Sequence, residues 1–212
     1  MMNEARRTRI WDTAKRRQPN LTVVLENVQY QHNIGAVLRS CDSVGISEIY
    51  ILQTQAALQK PRMAMGKLTS AGTRKWVDVH YYRKVQPCFE ALRQKYDFIF
   101  STHLAAHAKS LYELDLKASV ALLFGNEQTG VSEEVLALTD GNFIIPQVGM
   151  AKSLNISVAC AVSVYEAFRQ RKLRGFYDDQ LPLSPDGQQQ LFDDYAERHR
   201  TQSMPKKAYP KD

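Results

Sequence analysis

Three cysteines in 212 residues, Cys41, Cys88 and Cys160, are too few and too far apart for a disulfide framework, and none stands at metal-ligand spacing from a histidine. Core thiols, no metal and a reducing compartment, the cytoplasm, are therefore expected. No apolar run approaches the ~18 residues of a membrane span, and the longest candidate, Ile156 to Tyr165, is broken by serine. The charged N-terminus has no apolar segment behind it, which argues against an ordinary secretory signal. Also missing are a G-x-G-x-x-G turn after a strand, an H-E-x-x-H pair and a G-x-S-x-G elbow. The segment Gly125 to Ser132 copies the glycine spacing of a phosphate loop but places Val131 where that loop needs lysine, so a nucleotide triphosphatase is rejected.

What is present is one domain's length of chain, able to bury roughly 70% of its unfolded surface, with a formal net charge of +6 distributed unevenly. Residues 1–20 are net +4, residues 60–75 (Lys60, Arg62, Lys67, Arg74, Lys75) net +5, and residues 166–175 net +3. Residues 176–200 reverse the sign with six acids against Arg198 and Arg200. Any exposed helix can carry such charge, but three basic islands on one near-neutral body favour a polyanion partner, because each neutralised phosphate releases counterions.

Apolar alternation and turn residues predict strands at 21–26, 48–52, 76–80, 98–102, 120–124 and 143–145. Helices are predicted at 33–45, 84–96 and 153–174, with a short one from Ser132 and a basic loop at 53–74. The alternation implies an α/β domain with a mainly parallel sheet flanked by helices. Residues 1–20 read as a basic, helical N-terminal extension, 21–175 as the main domain, and 176–212 as a partly helical C-terminal extension whose second half is expected to lack fixed structure. At 100° per residue, Ile34, Val37, Leu38 and Cys41 form one stripe and Arg39 projects from the opposite side. The 153–174 helix is apolar all round, which predicts burial in the domain or against a second copy of the chain, hence a homodimer.

Three segments carry the chemical signal. In the first, His32-Asn33-Ile34-Gly35-Ala36-Val37-Leu38-Arg39, Asn33 reads on its own as a helix cap and Arg39 as a solvated cation. In the second, Leu122 to Glu134, Ser132 reads as a helix cap and Glu133 and Glu134 as first-turn acids, but Glu127 between two turn glycines has no such explanation. In the third, Ile144 to Ala159, Ser153 and Asn155 are candidate caps, and Gly149 and Met150 leave backbone free to meet a ligand.

In order and content these segments resemble the TrmH-type tRNA guanosine 2′-O-methyltransferases of the SPOUT superfamily. The likeness runs from Ala5-Arg6-Arg7 and Arg16-Arg17-Gln18-Pro19-Asn20 to Tyr165-Glu166-Ala167-Phe168-Arg169-Gln170-Arg171, about four fifths of the chain. The resemblance implies an S-adenosylmethionine-dependent methyl transfer to the ribose 2′-hydroxyl of a D-loop guanosine of tRNA, a deep C-terminal trefoil knot and an obligate homodimer. It also implies a donor pocket of Thr102, His103, Leu104, Gly125, Ile144, Ile145, Met150, Ser153 and Leu154. Arg39 becomes the catalytic residue, with Asn33, Glu127 and Asn155 around it, and Arg9, Arg17, Arg169, Arg171 and Arg174 become tRNA contacts. Arginine is a poor general base, since its pKa lies above ~12. Arg39 is therefore expected to meet the phosphate beside the target ribose, and either to take the proton once perturbed or to stabilise the alkoxide. The chain departs from the pattern at Ala151-Lys152, where Val-Gln is common, and at Gly35, where serine is usual.

Two sister reactions compete, on rRNA and on the tRNA wobble nucleotide. The rRNA enzymes usually carry a separate N-terminal RNA-binding domain, and the wobble enzymes tend to be shorter and to lack basic extensions. A noncatalytic RNA-binding protein on the same fold is the rival from another class, and pure binding would not require Asn33, Arg39, Glu127, Ser153 and Asn155 together.

Overall fold

In the computed structural model, residues 2–59, 72–105 and 107–203 are described. Lys60, Arg62 and Lys67 of the central basic island and residues 204–212 of the tail lie outside them. Seven strands form one sheet: β1 (Leu21–Glu26), β2 (Glu48–Leu52), β3 (Asp78–Tyr82), β4 (Phe98–Thr102), β5 (Lys109–Ser110), β6 (Val120–Phe124) and β7 (Gly141–Ile144). Their order is β3-β2-β1-β6-β4-β7-β5, and every pairing is parallel. The central strands β1 and β6 are buried along their whole lengths, as a parallel sheet covered on both faces requires.

One face is covered by α2 (Gln31–Ser43) and α5 (Ile156–Leu173), the other by α3 (Val85–Arg93) and the single turn α4 (Glu133–Leu136). On α2 the stripe is as expected: Ile34, Val37, Leu38 and Cys41 are fully buried, each worth roughly 2 kcal/mol of apolar burial, and Arg39 is exposed. Gly45 ends this helix at φ +87°, and a Cβ there would lie 2.6 Å from the Arg16 carbonyl oxygen, so no side chain fits. All three cysteines are buried thiols.

Several boundaries differ from expectation for local reasons. β3 starts at Asp78 because Trp76 still closes a 3-10 turn through its N–H to Thr73 O at 2.8 Å. α5 starts at Ile156 because the Asn155 side chain, and not Ser153, accepts from Ser157 N at 2.9 Å. Ser132 stands at the N-cap of α4 but makes no cap bond; its hydroxyl turns to Glu26 Oε1 at 2.5 Å. The two-residue strand β5 is too short for any periodicity to announce.

Helix α1 (Glu4–Lys15) packs against α6 (Pro185–Thr201) through Ile10, Ala14, Phe192 and Tyr195. α6 opens on Ser184, whose side chain accepts from Gly187 N, with Pro185 in the first turn, a favourable N-terminus.

Two of the five arginines assigned to RNA contact are corrected by their burial. Arg17 is inaccessible and donates to Asp42 Oδ1 (2.6 Å), the Tyr195 hydroxyl (2.9 Å), Trp76 O (3.0 Å) and Ile46 O (3.1 Å). Arg171 is equally buried and donates to Asn20 Oδ1 (2.6 Å), Ala118 O (2.7 Å), Leu116 O (2.8 Å), Gln18 Oε1 (3.1 Å) and Asn20 O (3.1 Å). With donors saturated by the protein itself, neither guanidinium has a face left for a phosphate. Loss of hydration lowers Arg171 to about 10. Arg9, Arg169 and Arg174 are exposed, Arg169 in an ion pair with Glu166 at 2.7 Å.

Candidate active site at the carboxyl ends of the sheet

In an open parallel sheet the loops leaving the carboxyl ends of the strands converge into a crevice. Here they come from β1, β6, β4 and β7. The loop after β6 is closed by Asn126 and Gly130, which exchange two N–H···O bonds of 2.9 Å. Asn126 is its hub: Oδ1 accepts from Gln128 N (2.8 Å) and Thr129 N (3.1 Å), and Nδ2 donates to Asn27 O (2.7 Å). A Cβ on Gly125 would fall 2.3–2.4 Å from Gly130 C and O and Val131 N, so only glycine lets this loop shut.

The loop presents Glu127 to two other segments. Asn33 Nδ2, in the first turn of α2, donates to Glu127 Oε1 at 2.7 Å, and Asn155 Nδ2, ahead of α5, donates to Asn33 Oδ1 at 3.2 Å. Residues 94 and 122 positions apart in the chain thus meet in one row. Asn33 is buried, whereas Glu127 is half-buried, and its Oε2 has only a 3.5 Å contact from Gln29 N. The row therefore contains a carboxylate oxygen with acceptor capacity left over and, among the described residues, no ion pair.

Of the residues expected to be catalytic, Asn33, Glu127 and Asn155 are brought together. Arg39 is not: it lies six residues further along α2, about 9 Å down the helix axis, and faces solvent. Among the described residues it has no hydrogen bond or ion pair.

Five of the nine residues expected to hold the methyl donor lie at three adjacent strand ends. Thr102 ends β4 and His103 follows it, Gly125 follows β6, and Ile144 ends β7 and Ile145 follows it. His103 N donates to Phe143 O at 3.3 Å, and Thr102 Oγ1 reaches Leu123 O at 3.4 Å, which ties the three ends together. Leu104 and Met150 are exposed, Met150 completely, Ser153 is exposed and Leu154 half-buried. Exposed apolar side chains on the segments that follow β4 and β7 fit a ligand with a flat heterocycle and an aliphatic arm.

Two residues that hold the site together were not anticipated. Glu26, the last residue of the buried strand β1, accepts from Ser132 N (3.1 Å) and Ser132 Oγ (2.5 Å), and burial pushes its carboxyl above the usual range against those two bonds. Asn27, at φ +51°, accepts from Thr54 N (2.8 Å) and Gln55 N (3.2 Å) through Oδ1, and through its carbonyl from Asn126. Together they grip both ends of the Glu127 loop. An acid closing a mostly apolar strand, followed by asparagine, was the available signal.

The sequence profile of the SpoU rRNA methylase family matches residues 20–165. The chain belongs to this family. It is 40% identical, over 92% of its own length and 97% of the relative's, to a tRNA (guanosine(18)-2′-O)-methyltransferase of Thermus thermophilus. Among solved structures, the SpoU protein described as the A. aeolicus TrmH/SpoU tRNA modifying enzyme superposes with a TM-score of 0.79 at 32% identity, covering 92% of this chain and 97% of that one. An AdoMet-bound rRNA methyltransferase from Sinorhizobium meliloti gives a TM-score of 0.63 at 25% identity, over 75% of this chain and 59% of the other. Within the SpoU family, the shared region spans β1 to the middle of α5 and so includes all three segments that meet at Glu127.

Proposed function

We propose that this protein methylates the ribose 2′-hydroxyl of guanosine 18 in the D-loop of tRNA, with S-adenosylmethionine as methyl donor. The observation that carries the reading is the row Asn155–Asn33–Glu127, assembled from three separate segments at the crevice where a donor would sit. The name of the Thermus relative, which aligns over nearly the whole of both chains, selects tRNA over rRNA.

S-adenosylmethionine supplies an electrophilic methyl group. Thr102, His103, Leu104, Gly125, Ile144, Ile145, Met150, Ser153 and Leu154 would hold it, the apolar members enclosing the heterocycle and the strand-end backbone its polar edge. Asn33 and Asn155 hold Glu127 in one orientation, so the free Oε2 is a fixed acceptor for a hydroxyl. Arg39 offers a guanidinium to the phosphate next to the target ribose, which orients the 2′-hydroxyl and stabilises its developing negative charge. Arg9, Arg169 and Arg174 supply exposed cations for the RNA backbone.

A second copy of the chain belongs to this reading. Val158, Tyr165 and Leu173 stand exposed along α5, an apolar edge that a homodimer would cover. The knot belongs to it as well. β7 lies between β4 and β5, which are consecutive in the chain, a strand order that supports this reading. The helices at either end, α1 and α6, act as extensions of the methyltransferase domain at 21–175. None of the described helices is long and apolar enough to cross a membrane, and the cytoplasm is the proposed location.

The test is incubation with methyl-labelled S-adenosylmethionine and unmodified tRNA and rRNA transcripts, followed by mapping of the label. Label on the ribose of the D-loop guanosine is expected. Label in rRNA or at the wobble position would move the protein to a sister reaction, and no label, with donor and RNA each bound, would leave a binding protein.

A further inference from the structure

Tyr30 occupies the N-cap of α2, where serine, threonine, aspartate or asparagine is strongly preferred, and its side chain makes no cap bond. Its ring is 46% exposed and rests on the exposed His32 ring, with centroids 5.4 Å apart and planes tilted by 32°. The backbone beneath it is held unusually firmly. Asn27 is tied to Thr54, Gln55 and Asn126, Val28 is buried with its carbonyl taken by Gln53, and Gln29 N reaches Glu127 Oε2. The Tyr30 carbonyl then accepts from Asn33 N at 3.1 Å and so opens the helix that carries the Asn33–Glu127 bond. Four phenylalanine and tyrosine side chains are exposed among the described residues: Tyr30, Phe98, Tyr112 and Tyr165. Phe98 begins β4 at the opposite end of the sheet, Tyr112 follows β5, and Tyr165 lies about 15 Å down α5 from Asn155. Of these four, Tyr30 directly follows Gln29, whose N–H reaches Glu127 Oε2.

A residue that breaks a local rule and gains nothing for the fold marks a functional position. We propose that the Tyr30 ring, supported from below by His32, is the stacking platform for the purine base of the nucleotide being methylated. Reaching one ribose hydroxyl in folded RNA requires that nucleotide to leave its neighbours, and its base then needs a flat apolar surface in place of the lost stacking. An aromatic ring on a rigid segment offers that surface with little ordering cost, one residue along the chain from the N–H that reaches the Glu127 carboxylate. This inference rests on the RNA-methylating reading above.

Tyr30→Ala, Tyr30→Phe and Tyr30→Leu separate ring, hydroxyl and mere bulk. With unmodified tRNA, Tyr30→Ala and Tyr30→Leu are expected to lose about 10-fold in kcat/KM, and Tyr30→Phe to stay near wild type, since base–aromatic stacking needs the π-face alone. Binding of S-adenosylmethionine is expected to be equal in all four proteins. A second arm needs no methyl transfer: a short D-loop oligonucleotide with 2-aminopurine at the target position should be quenched by wild type and Tyr30→Phe, and not by the alanine and leucine variants. Equal kinetics and equal quenching in all four proteins would overturn the platform, as would a phenylalanine variant as impaired as alanine. Quenching by wild type without methylation of tRNA would overturn the proposed reaction and leave the platform standing.

Discussion

The two ends of the parallel sheet treat their charged groups in opposite ways. At the amino ends, Glu48 opens β2 and accepts from Lys95 (2.8 and 2.9 Å), Tyr96 (2.8 Å), His80 (3.0 Å) and Tyr50 (3.1 Å). There too, Arg171 sews the residues preceding β1 and β6 together, and Arg17 those preceding β2 and β3. At the carboxyl ends, Glu127 has one short bond from Asn33 and an oxygen to spare. Saturated charges there fasten the fold, whereas under-used groups here are left for a substrate. Buried ion pairs and cations are costly to create and costlier to break, which suits a scaffold; an active site needs the reverse.

The sharpest way to break the contrast is Arg171→Met. It removes five donated hydrogen bonds at the amino ends at once, and a loss of about 3 kcal/mol or more in chemical unfolding is expected. Arg174→Ala, three residues on and exposed, should leave stability unchanged and weaken tRNA binding in a salt-dependent way. If Arg171→Met folded normally and lost only tRNA affinity, the structural role assigned to this residue would be wrong. Next comes Arg39→Ala, expected to cost about 100-fold in methyl transfer with an unaltered melting curve, because nothing in the fold depends on an exposed guanidinium. Arg39→Lys should be nearly as impaired, since a point charge cannot replace the planar fork on a phosphate. Near-normal turnover in Arg39→Ala would remove Arg39 from the reaction.

The same contrast explains what could be read in advance. β1, β2, β4 and β6 were legible to within a residue because each is a short, largely apolar run bounded by turns, as strands of a covered parallel sheet are. The meeting of Asn33, Glu127 and Asn155 was legible only through the resemblance; each taken singly is an ordinary cap or turn residue. The burial of Arg17 and Arg171 was not legible. Both lie in basic islands, and a positive charge in a sequence gives no sign of whether its acceptors are phosphates or the protein's own carboxylate, hydroxyl and carbonyl oxygens 25 to 178 residues away. Tyr30 and Glu26 escaped for a related reason: their significance is a departure from the local preference for a cap or an apolar strand end. That departure becomes visible only when the three-dimensional neighbour, Glu127 or Ser132, is known.

Acid should expose the fastening at the amino ends. Burial alone would raise Glu48, but the hydrogen bonds from His80 and Lys95 hold it down at about 2. A folded pKa below the ordinary 4.5 means that its stabilisation is complete above the unfolded value and is lost as pH falls from there through about 2. Unfolding titrations between these limits should show a loss on the order of 2 kcal/mol that is absent in Glu48→Gln, after allowance for the half-exposed Lys95. An identical acid profile in the variant would place the sensitivity elsewhere.

The smallest effect expected is at the other end, where Ser132→Ala removes the hydroxyl that Glu26 grips and leaves the carboxylate and the Ser132 N–H bond in place. Stability should fall by about 1 kcal/mol, while the loop carrying Gly125 and Glu127 loosens. The KM for S-adenosylmethionine should therefore rise several-fold with the KM for tRNA unchanged, and Ser132→Thr, which restores a hydroxyl, should recover most of it. A purely structural serine would lower the melting temperature and leave both KM values alone. Only a serine that holds the donor loop shut will separate them.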